Sequence, residues 1–241
     1  MASRKEQKEQ LRRERQEREA LAKAAEKRRR LIGYGAGGAL VAVVAVVLVV
    51  LLVGGGGDGG DGGGGGGGDE LPSGGEAPAQ KITDLEEAAK AAGCELKSFK
   101  GTSREHTSDL AEAISYESNP PTTGKHFDEP EQDGAFSEAP DAKKLVHTLE
   151  HGRVIISFKK TLPKDDRAGL KALFDEDSYQ MVLTPNDTKM TYAVASTAWN
   201  ADPKPNGTGR LLGCPKFTPQ VFDALRTFKD EHRSNGPEPV P

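Results

Sequence analysis

The sequence predicts an α+β domain held outside a membrane by a single-pass N-terminal helix and a glycine-rich tether. Three observations lead there. Residues 31–53 contain no charged side chain, and residues 54–68 are glycine apart from Asp58 and Asp61. From residue 82 onward, helix-patterned and strand-patterned stretches alternate, which fits one mixed α/β ectodomain with a small central sheet flanked by helices.

The uncharged run is the first element. As a helix, its 23 residues span about 34 Å, enough for a hydrocarbon core of about 30 Å. A core helix of that length keeps a polar stripe, and this one has none. A cleaved leader has a shorter apolar region and a small-residue cleavage site, where this chain continues into glycine. The expectation is an uncleaved membrane anchor.

Charge sets its direction. Residues 1–30 carry twelve Lys and Arg against six Glu, a net +6; the whole chain carries −4, so the remainder carries −10. "EKRRR" abuts the apolar run, whereas its other flank has no Lys or Arg before Lys81. The positive-inside rule then puts the N-terminus in the cytoplasm and the C-terminal domain outside the cell membrane. The basic segment, helical or disordered, has the lipid bilayer as its expected partner. Its interleaved Glu residues and lack of aromatics argue against nucleic acid.

Residues 54–81 offer few side chains to offset the cost of ordering the backbone, so they read as a disordered linker. Its root-mean-square reach is about 30 Å. The globular domain is expected over 82–235, with 236–241 as a loose tail. "TDLEEAAKAAG" reads as a helix capped by Thr83 or Asp84, and "CELKSFK" as a short strand. "PDAKKLVHTLEHG" is a second helix, "RVIISFKK" a strand and "LPKDDRAGLKALFDE" a third helix. "YQMVLTP" and "TYAVASTAW" are strands, and "FTPQVFDALRTFKDEHR" is the last helix, with Thr218 as cap and Pro219 in its first turn.

Cys94 and Cys214 are the only cysteines. Outside the cytoplasm, a disulfide between them is the economical reading, with two unpaired thiols or copper ligands as the alternatives. A bridge closing so long a loop stabilises a fold by about 4 to 5 kcal/mol in the chain-entropy picture.

Two stretches carry the chemistry. "HTLEH" puts His147, Glu150 and His151 on one helical face and matches the His-x-x-Glu-His zinc-peptidase pattern. A peptidase needs a further ligand, for which Glu231 is the downstream candidate, and a larger chamber than this domain encloses. "YESNPPTTGKHF" holds His126 on a loop stiffened by Pro120 and Pro121. His106 and His232 lack such companions and read as surface residues. Trp199 reads as a core or rim anchor. No phosphate-binding glycine loop and no Gly-x-Ser-x-Gly elbow is present.

"PPTTGKH", then "VHTLEHGRV", "TAW" and a C-terminal helix with "GPE" resemble the bacterial, membrane-anchored domain of unknown function family 3105, well populated in actinobacteria. The resemblance covers about residues 90–238. Thr123 stands where a serine is common, and Phe127 and Phe136 differ from the usual aromatics. What it implies is a membrane-anchored arrangement without an established activity, so no catalytic residue is carried over.

From the residues themselves, His126, His147 and His151 form the candidate metal set, and imidazole suits zinc or copper. The bland alternative has His147 or His151 tying the Pro-rich loop to the sheet while Glu150 makes a salt bridge. The leading functional expectation is an envelope binding or accessory module with an unidentified envelope partner. The alternatives are a metal-dependent hydrolase using His147, Glu150 and His151, with Glu150 as general base, and a structural protein-interaction domain without metal.

Overall fold

The computed structural model describes residues 71–238. The expected cytoplasmic segment, the membrane span and the glycine run lie outside the described residues. No helix among the described residues is long and apolar enough to cross a membrane.

Asp84 caps α1 (Leu85–Ala92) by accepting from the Glu87 amide, and Glu86 and Glu87 suit the positive end of the helix. β1 (Glu95–Lys100) follows directly. A long irregular stretch then carries the two-residue strands β2 (His106–Thr107), β3 (His126–Phe127) and β4 (Gly134–Ala135). α2 (Ala142–Glu150) leads into β5 (Val154–Lys159), and α3 (Lys164–Glu176) into β6 (Met181–Asn186). β7 (Val194–Asn200), β8 (Thr208–Cys214) and α4 (Val221–His232) complete the domain. α4 starts later than expected: Gln220 takes the N-cap position without a side-chain bond, Pro219 precedes the helix, and Thr218 Oγ1, the expected cap, has no hydrogen-bond partner among the described residues.

The main sheet runs β1-β8-β7-β5-β6-β4. β1, β8, β7 and β5 pair antiparallel; β5, β6 and β4 pair parallel. The parallel β5–β6 step requires a crossover, which α3 supplies. Pro185 lies on β6 beyond the two residues paired to β4, where a missing amide proton costs the sheet little.

Strand alternation divides the core. Val154, Ile156 and Phe158 face α1, α3 and α4, packing on Leu85, Leu170, Leu225 and Phe228. Ile155, Val182 and Trp199 face the other way, against Val146 and Leu149 of α2. Each fully buried Leu or Phe contributes about 2 to 3 kcal/mol. α2 therefore sits without another helix on its side of the sheet, and the irregular segment packs around it.

Cys94 and Cys214 form a disulfide, joining residues 120 apart across the end of the β1–β8 ladder. Both ends of the domain extend beyond the expected limits of 82 and 235. Leu71, Ala77 and Ile82 pack on the main core, and the Lys81 and Ile82 amides donate to Asp223. At the other end, the Glu238 amide donates to the Glu150 carbonyl.

A candidate metal centre of histidines and one glutamate

The smallest sheet builds the site. β2 and β3 pair in parallel with His106 opposite His126, so both rings leave the ladder on one side, with centroids 4.5 Å apart. α2, capped by Asp141 on the Lys143 amide, turns Val146 and Leu149 into the sheet. The same periodicity turns His147 and Glu150 toward the two-stranded ladder. The ring of His147 lies 4.8 Å from each of those of His106 and His126. The donor atoms of His106, His126, His147 and Glu150 all lie within 4.8 Å of one another.

Backbone carbonyls orient two of the rings. His126 Nδ1 donates to Gly124 O at 2.8 Å, and His147 Nδ1 donates to Phe127 O at 2.7 Å. A carbonyl only accepts, so the proton sits on Nδ1 and Nε2 presents a lone pair. This is the arrangement by which proteins aim neutral imidazoles at metals. His126 and Glu150 have no exposed side-chain surface. Trp199 closes the floor, edge-on to His126 with centroids 5.8 Å apart, its Nε1 donating to Asn206 O.

His126 Nε2 and Glu150 Oε2 lie 3.0 Å apart, within ion-pair range. Their angle is not that of a hydrogen bond, and neither atom has a hydrogen-bond partner among the described residues. Two buried acceptors facing each other this closely need a proton or a metal ion between or beside them, and the surrounding donors can supply the rest of a metal shell. His106 Nε2 is 3.7 Å from the same oxygen. Ligand atoms of a tetrahedral zinc lie about 3.3 Å apart, given bonds of about 2.0 to 2.1 Å, so the spacing suits one ion after small adjustments.

Arg104 bonds the other oxygen, Oε1, of Glu150 and also pairs with Glu238. Burial acts to raise the Glu150 carboxyl, but the close contact with His126 and the bond from Arg104 outweigh it and hold the group at about 2. It is thus ionised, and a weak base. Burial pushes His147 down to about 4, the Phe127 hydrogen bond opposing and the neighbouring histidines assisting. Burial, with Arg153 next, also lowers His151.

The structure brings His126 and His147 into one donor group and places His151 just outside it, with its Nε2 3.0 Å from His147 Nε2. His106 lies at the surface as expected, its side chain 41% exposed, and nevertheless joins the group. Only the register of β2 on β3, twenty residues apart, reveals it. His232, expected at the surface, is instead buried against Phe228. Glu231 is exposed and pairs with His232. Both bonds of the bland alternative exist: His147 ties the loop at Phe127, and Glu150 pairs with Arg104. Neither uses His126 Nε2, His147 Nδ1 being the atom spent on the loop.

A family model described as a protein of unknown function, DUF3105, matches residues 107–240. Nothing matches among the curated proteins or the solved structures.

Proposed function

Because the chain belongs to the DUF3105 family, whose function is unknown, we propose from its geometry that the domain is a transition-metal-binding module tethered at the outer side of a cell membrane. His106, His126, His147 and Glu150 hold the ion. One observation carries this: His126 Nε2 and Glu150 Oε2, both buried, face each other at 3.0 Å without hydrogen-bond geometry.

Three imidazoles and a carboxylate favour zinc or copper(II) over calcium or magnesium, which prefer oxygen donors. The disulfide removes both thiols from the candidate ligands. It also supports an oxidising compartment, as the uncharged run 31–53 and its one-sided cations support the tethered placement. Glu150, held ionised inside the donor group, acts as ligand more readily than as general base, so binding is favoured over hydrolysis.

The test is metal analysis of the full chain purified without chelators. One equivalent of zinc or copper per chain, lost in Glu150→Gln and His126→Ala variants that keep the wild-type circular dichroism, supports the module. A metal-free wild type that takes up no added zinc or copper removes it. Protease added to intact cells should degrade the folded domain and spare residues 1–30.

A further inference from the structure

The four-donor centre has two sides open to solvent. One is at His106, where Arg104 stands a third exposed with its charge already taken up by Glu150 and Glu238. The other is at His151. There, Pro130, Glu131, Gln132, Asp133, Thr148, His151 and Arg153 line a polar cleft of about 170 Å³. It carries two carboxylates, Glu131 and Asp133, and one guanidinium, Arg153, which already bonds Asp133 at 3.1 Å. Thr148 Oγ1 accepts from the Glu131 amide at 2.9 Å and so fixes the cleft wall to α2. The second side joins an excess of carboxylates over guanidinium to a histidine ligand, which together attract and receive an approaching cation.

His151 lines this cleft, and its Nε2–H donates to His147 Nε2 at 3.0 Å, the His147 proton being on Nδ1. That separation is close to what two ligands of one ion adopt. His147 is common to both arrangements: its Nδ1 is pinned by Phe127, and its Nε2 reaches the inner donors on one side and His151 on the other.

Resting on the metal reading above, we propose that a hydrated divalent cation enters and leaves through the cleft beside His151, held first by His147 and His151 and then by His106, His126, His147 and Glu150. The step exchanges ligands and moves one proton: His151 gives its Nε2 proton to water and takes one from water on Nδ1 as Nε2 binds the ion, then water and His151 leave as His106, His126 and Glu150 bind, and no electron moves. The domain then handles an exchangeable ion, as a carrier or sensor does, rather than burying a permanent one.

The experiment follows Zn²⁺ loading of the full chain, and its transfer to a chromogenic chelator, by stopped flow. His151→Ala should slow both directions about tenfold, a barrier change of about 1.4 kcal/mol, while the ratio of the rates changes by less than about threefold. Glu131→Gln with Asp133→Asn should slow loading, with a smaller dependence on ionic strength. This pair tests the route should His151→Ala misfold. Unchanged rates in both variants overturn the route. A fall in affinity with loading unchanged in His151→Ala also overturns it, because His151 is then a resident ligand. A wild type that binds zinc with unaltered variant kinetics leaves the metal centre standing and this inference refuted, whereas a wild type that binds none removes both.

Discussion

His106 and His126 stand opposite each other in a parallel ladder only two residues long. They are twenty positions apart in a mostly irregular stretch of chain, and the pairing sets their rings 4.5 Å apart at the edge of α2. His106 is the exposed member, so its ring adds little to packing. His106→Ala should lower zinc affinity by at least about tenfold and leave thermal stability of the metal-free chain within about 0.5 kcal/mol. Calorimetric zinc titration beside a thermal melt checks both. Equal affinity would remove His106 from the ligand set.

Arg104 and Glu150 form the counter-ion pair of the metal-free state. Arg104→Leu leaves a fully buried carboxylate without its guanidinium. Because Arg104 is a third exposed, the loss should fall below the range for wholly buried pairs, about 2 to 3 kcal/mol. Zinc should restore part of it by supplying the missing positive charge. Urea denaturation with and without zinc tests this: the ion should stabilise Arg104→Leu more than the wild type.

Gly236 presses on the carbonyl end of α2. A Cβ there would lie 2.3 Å from Glu150 O and from the Gly152 amide nitrogen. Gly236→Ala should therefore lift the segment that carries Glu238 off the site, costing about 1 to 3 kcal/mol and weakening zinc binding. A melt and a zinc titration of the variant measure the two effects.

Burial, with Arg210 second, pushes His232 down to about 4. Its Nδ1 accepts from Asn200 at 3.2 Å, and Glu231 lies 3.7 Å from Nε2. The folded protein keeps this ring neutral while the unfolded chain takes up the proton first. The stability it contributes is complete above the ordinary value of 6.5 and is lost as pH falls toward 4. The loss amounts to about 3 kcal/mol. Urea midpoints across that window should fall more steeply for the wild type than for His232→Gln.

Much of the fold was legible because its signals are local. Asp84 before "LEEAAKAA", the β-branched run of β5 and the apolar face of α4 each declare themselves within a dozen residues. β8 did not. Its Gly209 and Gly213 weaken the strand pattern, and the structure explains both by close approach: a Cβ at 209 would meet Thr122 Oγ1 at 2.3 Å, and one at 213 the Tyr192 ring at 2.4 Å. The site divides in the same way. His147, Glu150 and His151 share one helix turn and could be read together, and His126 stood out on its proline-stiffened loop. His106 and Arg104 reach the site only through the pairing of β2 with β3 and the packing of α2, which no sequence window contains.

Trp199, the single tryptophan, lies 5.8 Å from the His126 ring and reports directly on the donor group. Titrating the full chain with Cu²⁺ while following tryptophan emission is therefore the most direct measurement. A copper ion on His106, His126, His147 and Glu150 quenches Trp199 with a break at one equivalent, and the quench is lost in Glu150→Gln and His147→Ala. Emission that stays constant through one equivalent, or that falls equally in those variants, contradicts a metal centre at this position.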